Sequence, residues 1–218
     1  NWTPSSTFNV TGYATDGNNT VNSSSDGKTY GLEAVLAPSS QWSFTVNGLL
    51  GPTAGNATIP NDLTNFVGEA IIKFMPDSMW SFGLDAQYAM TSLPSGTTPS
   101  SASYWGLALY GRDQIASDWA VALRLEDLTD SGEIALGSGI PDGSFYNGSA
   151  WVSTSFYEGT LTLEHDYTAN LLGRLEGRFD TNATPTGVGT ATAAAPIYNS
   201  QAGSTSEFSL TYSTVLTF

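Results

Sequence analysis

Residues 169–180 read ANLLGRLEGRFD, and taking every second residue splits them into two unlike sets. Leu171, Gly173, Leu175, Gly177 and Phe179 form one set, and Leu172, Arg174, Glu176, Arg178 and Asp180 the other. A β-strand turns successive side chains to opposite faces, so as a strand this segment has an apolar face and a face laddered with both charge signs. The separation recurs along the chain. In 118–126, Trp119, Val121, Leu123 and Leu125 oppose Arg124 and Glu126. In 153–166, Tyr157, Gly159, Leu161 and Leu163 oppose Glu158, Thr160, Thr162, Glu164 and Asp166. In 63–74, Phe66, Gly68, Ala70, Ile72 and Phe74 oppose Glu69 and Lys73, and next along the chain Trp80, Phe82, Leu84, Ala86 and Tyr88 oppose Asp85 and Gln87. With Arg112, five of the six Lys and Arg fall on the polar parity inside strands, Lys28 at a strand start being the exception. A Lys or Arg facing lipid at mid-membrane costs about 2–4 kcal/mol, so lipid exposure demands this segregation, and a lumen holding water or paired ions tolerates it.

Ten amphipathic segments follow from the same alternation: 6–14, 28–37, 41–50, 63–74, 79–90, 102–112, 118–126, 153–166, 169–180 and 205–218. Each is near the ~9–11 residues a tilted strand needs to cross a bilayer. The connections alternate in length. Short ones fall at Pro38–Ser40, Pro76–Ser78, Asp113–Ala116 and Tyr167–Thr168; long polar ones fall at 15–27, 51–62, 91–101, 127–152 and 181–204. Short turns on one rim and long loops on the other are the layout of an outer-membrane barrel, with turns periplasmic and loops extracellular. The expectation is an all-β, antiparallel up-and-down transmembrane barrel, with residues 1–218 as a single domain and both ends on the periplasmic side. An even strand count satisfies that placement.

Composition narrows the partners. Six Lys and Arg against twenty Asp and Glu give a net charge of −14, which disfavours nucleic acid. The absence of Cys excludes thiolate metal sites and disulfides. Charged residues make up 12% of the chain, half the ~25% of ordinary soluble domains, so a soluble surface is hard to build. No apolar run approaches the ~18 residues of a membrane helix, so strands must do any crossing.

Aromatic residues near segment ends, Trp42, Phe74, Trp80, Tyr88, Tyr104, Trp105, Tyr110, Trp119 and Phe179, suit interfacial girdles. The chain closes on EFSLTYSTVLTF, where Phe208, Leu210, Tyr212, Leu216 and Phe218 share one parity, a pattern that resembles a membrane-assembly signal carried by Tyr212, Leu216 and Phe218. At larger scale DGKTYGLEAVLAPSSQWSFTVNGLLGP (26–52), SYWGLALYGRDQIASDWAVALRLEDLTDSGE (103–133) and EGTLTLEHDYTANLLGRLEGRFD (158–180), followed by Phe218, resemble the C-terminal part of the β-barrel porin type 2, or OmpL-like, outer-membrane porins. Members of that family usually carry further strands ahead of this region. The ten strands therefore stand either as a shortened barrel or as part of a larger one. Ten strands alone give a backbone radius of roughly 10 Å, much of it filled by inward side chains.

The resemblance implies a porin-like channel in the bacterial outer membrane, passing small hydrophilic solutes or ions with no cofactor, metal or covalent step. The competing expectation is a closed barrel that scaffolds another envelope component; a soluble extracellular β-sandwich is the third class. Glu69, Lys73, Asp85, Arg112, Arg124, Glu126, Glu158, Glu164, Asp166, Arg174, Glu176, Arg178 and Asp180 are the candidates to line the lumen. The excess of acids predicts a mild cation preference. The lipid bilayer is the expected partner, and homo-oligomerisation fits the family although no interface is marked in the sequence. His165, the single histidine, shares parity with Leu161 and Leu163, away from the carboxylates. No GxSxG elbow accompanies it, so an interfacial role is favoured over catalysis. Glu126, Asp127, Asp130 and Glu133 in EDLTDSGE (126–133) offer oxygen ligands but not EF-hand spacing, and read as a solvated acidic loop.

Overall fold

The computed structural model describes residues 1–15, 27–53, 63–93, 100–131, 153–183 and 206–216. They form eleven strands: β1 (Trp2–Ser5), β2 (Phe8–Thr15), β3 (Thr29–Leu36), β4 (Trp42–Thr53), β5 (Leu63–Phe74), β6 (Trp80–Ser92), β7 (Ser101–Asp113), β8 (Trp119–Ser131), β9 (Ser153–Thr168), β10 (Leu171–Ala183) and β11 (Ser206–Leu216). Every strand pairs antiparallel with the next, giving one sheet in chain order from β1 to β11. No pairing joins β1 to β11 among the described residues.

The ten expected segments are β2 to β11, but their ends move. β8 runs on to Ser131 and β10 to Ala183, so the stretch read as an acidic loop is strand up to Ser131, and Glu133 lies outside the described residues. The β9–β10 turn is Ala169 and Asn170, and Tyr167 and Thr168 are the last pair of β9. β1 was missed because it has four residues and a register break, too short for alternation to show. It makes the count odd. The first and last strands therefore run in the same direction, although the short β1 brings Trp2 only as far as Val10, two residues into β2.

Local chemistry fixes the short turns. Asp77 Oδ1 accepts from the backbone N–H groups of Met79 and Trp80 at 2.8 and 2.9 Å, a side-chain turn that sets the entry to β6. Gln41 Nε2 donates to the Pro76 carbonyl at 2.8 Å and ties the β3–β4 turn to the β5–β6 turn.

The molecule is apolar outside. Leu161, Leu175, Phe179, Leu210 and Phe208 are all exposed, whereas Leu63, Ala89, Ala102, Ala108 and Ala120 with Thr29, Thr91, Thr160, Thr162 and Asp130 are buried, all on the opposite parity. That inner face curls: Ile71 and Lys73 of β5 share one cavity of about 800 Å³ with Arg174 and Arg178 of β10. Five strand spacings of ~4.8 Å would hold them about 24 Å apart on a flat sheet.

Aromatic rings band the outer face. At the short-turn rim Trp42 stacks on Phe44 and Phe74 at 5.7 and 4.2 Å, Phe74 on Phe82 at 6.3 Å, and Trp80 on Phe82 at 5.8 Å. His165 continues the band, stacked on Trp119 at 4.1 Å and edge-on to Tyr167 at 4.4 Å, the outward position its parity indicated. Tyr167 shares a side-chain hydrogen bond with Tyr212, and Gly173 leaves room for its ring, since a Cβ there would stand 2.6 Å from Tyr167 Cε2. Towards the long loops the outer rings include Tyr30, Phe66, Tyr88, Trp105, Tyr157, Phe179 and Phe208. From Tyr157 to Tyr167 along β9 is about 33 Å of strand, or ~25 Å of height at a 40° tilt, the thickness of the apolar band of a transmembrane barrel.

Leu161→Lys, on the outer face of β9, is expected to lower stability in lipid vesicles by about 2–4 kcal/mol, whereas Thr211→Lys, on the inner face opposite Glu176, should cost far less. Denaturant unfolding in vesicles checks the contrast; equal losses would invert the assignment of faces.

Candidate inner-wall site

Strand register turns the charged parity into rows. Glu126, Glu158, Asp180 and Glu207 stand directly opposite one another across β8 to β11. Like charges so placed repel. Two residues nearer the short turns runs a second row: Lys73, Gly83, Tyr110, Arg124, Thr160 and Arg178 across β5 to β10. The guanidiniums reach back to the acids. Arg124 Nη1 donates to both Glu158 oxygens at 3.1 and 3.0 Å, and Arg124 also pairs with Glu126. Arg178 meets Glu158 at 3.1 Å and makes a fork to Asp180 at 2.8 and 2.9 Å. Glu158, its side chain 8% exposed, is the hub, and it also accepts from the Thr160 hydroxyl at 2.7 Å.

A second network sits nearer the short turns. Glu164 accepts from Arg112 Nε and Arg174 Nε, each at 2.9 Å. Arg112 is on β7 and Glu164 on β9, so the contact passes over β8. It can do so because β8 presents only Ala120, opposite Glu164, and Ala122, opposite Arg112. A larger side chain at either position would stand in the way.

The other candidates share this face without joining the networks. Glu176 lies against Thr162, whose hydroxyl is 3.4 Å from Oε2. Glu69 accepts from Asn47 Nδ2 at 2.7 Å. Asp85 keeps one buried oxygen without a hydrogen-bond partner, and Lys73 lines the cavity. Asp166 is at the exposed short-turn rim, where its backbone N–H donates to the Asp118 carbonyl at 2.9 Å. Tyr212 and Leu216 are outward and exposed; Phe218 lies outside the described residues. Among the described residues no group of three or more His, Asp or Glu could hold a metal ion.

Two aromatics expected in the girdles face inward instead. Tyr104 donates from its hydroxyl to Gln87 Oε1 at 2.7 Å, and the Tyr110 ring lies 5.9 Å from the Arg124 guanidinium. Both share the parity of Arg112, the signal that would have placed them. Asp127 departs in the other direction: it takes the outer parity, opposite Leu107 and Tyr157, near the long-loop rim.

Glu164→Gln would leave two guanidiniums facing each other without their shared anion. The expected cost is about 1–2 kcal/mol, at the low end for charged hydrogen bonds because both arginines remain over a third exposed. Added salt should narrow the gap to the wild type, read as unfolding midpoints at two ionic strengths.

No curated protein and no solved structure matches the chain. A family model does, over residues 1–218, and its description is "Putative beta-barrel porin-2, OmpL-like". Among the described residues the antiparallel strands in chain order, apolar outside and ion-paired within, suit such a barrel wall. With the match running the whole length of the sequence, the chain belongs to the OmpL-like porin-2 family of β-barrels.

Proposed function

We propose that this chain is a bacterial outer-membrane channel through which small hydrophilic solutes or ions diffuse passively, with short turns on the periplasmic rim and long loops outside the cell. The observation that carries the reading is the two-faced wall. Lipid-compatible Leu, Phe and Trp cover one side of β4 to β11, and the other holds a cavity of about 800 Å³ lined by ionic side chains. A soluble sandwich would bury the first face and expose the second.

On this reading Glu69, Lys73, Asp85, Arg112, Arg124, Glu126, Glu158, Glu164, Asp166, Arg174, Glu176, Arg178 and Asp180 line the passage. Their pairing stiffens the wall, while the guanidiniums over Glu158 and Glu164 stay partly exposed to passing water and solute. Selection then comes from charge and width, with no bond made or broken. Tyr212, Leu216 and Phe218 act in assembly, with Tyr212 and Leu216 standing outward on the last strand.

Purified protein refolded in detergent and added to a planar bilayer should give discrete conductance steps in potassium chloride. Folded protein that inserts and gives no steps would instead mean a closed barrel with an organisational role.

A further inference from the structure

Bases outnumber acids in the lining of the inner-face cavity, the reverse of the chain as a whole. Lys73, Arg112, Arg124, Arg174 and Arg178 line it against only Asp85 and Glu176, although the sequence holds 20 acids and 6 bases. The reason is geometric. Glu126, Glu158, Glu164 and Asp180, the partners of the arginines, stand outside the lining.

The shortage of negative charge is sharpest at Arg112 and Arg174. A guanidinium has five N–H donors. Each of these two spends only its Nε on Glu164, and their terminal nitrogens have no hydrogen-bond partner among the described residues. Glu164 is 12% exposed beneath them, whereas Arg112 and Arg174 are 38% and 44% exposed on the cavity side. Two cations thus share one anion, with the donor forks that suit a carboxylate or phosphate left open.

We propose that the terminal nitrogens of Arg112 and Arg174 form a binding site for the oxyanion group, carboxylate or phosphate, of a solute entering the lumen. The solute supplies the second anion that the pair lacks. This rests on the reading of the lumen as a solute passage, and it makes the short-turn half of that passage favour anions, against the preference expected from net charge.

The test titrates the refolded full chain in neutral detergent with inorganic phosphate and, separately, with acetate, followed by calorimetry, with reversal potentials recorded in parallel. Saturable binding is expected for at least one of the two, and which one binds identifies the oxyanion. The Arg112→Gln/Arg174→Gln double variant should weaken binding by about tenfold or more and shift the reversal potential towards cations. Glu164→Gln should bind more tightly than the wild type, an arm that still decides the matter if the double variant does not fold. The proposal is overturned if neither anion binds, if the double variant binds as the wild type does, or if Glu164→Gln binds no better. Phosphate or acetate binding without any conductance would keep the site and reject the passage.

Discussion

Hydrocarbon offers no partner to a backbone N–H or C=O, and everything in this molecule follows from meeting that condition with strands. Each of β2 to β10 is paired along both edges, so the backbone between the rims is satisfied within the sheet. Once backbone polarity is spent sideways, the side chains have two directions left. Leucine and aromatic residues take the outward one. Inward positions hold ions, hydroxyls, small Ala89, Ala102, Ala108 and Ala120 and some larger apolar side chains such as Leu63 and Ile71, with little of the dense apolar core that holds a soluble domain.

With so little apolar packing inside, the inner wall is organised by charge. Four carboxylates in one register row would repel, yet Glu158 takes two guanidiniums and shares them with Glu126 and Asp180. Their contributions are therefore coupled, and no single pair has an energy of its own. The Glu164 network differs in having fewer acids than bases. Two neighbouring networks of opposite surplus give the inner face of the sheet a polarity along the strands that net charge does not report.

Much of this was legible in the alternation. The charged parity of 169–180 is the inner face of β10, and His165 lies outward with Leu161 and Leu163 as its parity requires. Alternation assigns a face but not a height, which comes from register. So the contact of Arg112 with Glu164 across two strands could not be read, since it needs both the alignment of β7 to β9 and the small side chains of Ala120 and Ala122. Tyr104 and Tyr110 depart from the girdle pattern for a different reason: parity outweighs residue type, and an aromatic near a strand end is as able to meet an inward Gln87 or Arg124 as an interface. The extension of β8 through Asp130 was hidden by acidic composition, which usually marks a loop.

The odd number of strands among the described residues has one geometric consequence. Ten antiparallel joints link β1 to β11, and the two outermost strands point the same way. A cylinder sealed directly between them would carry a single parallel seam, with slanted hydrogen bonds unlike those of the other joints. A cylinder antiparallel throughout would instead need an odd number of extra staves at that gap. The four-residue β1, which contains Pro4, offers little for such a joint, whereas the eleven residues of β11 contain neither proline nor lysine to discourage a neighbour.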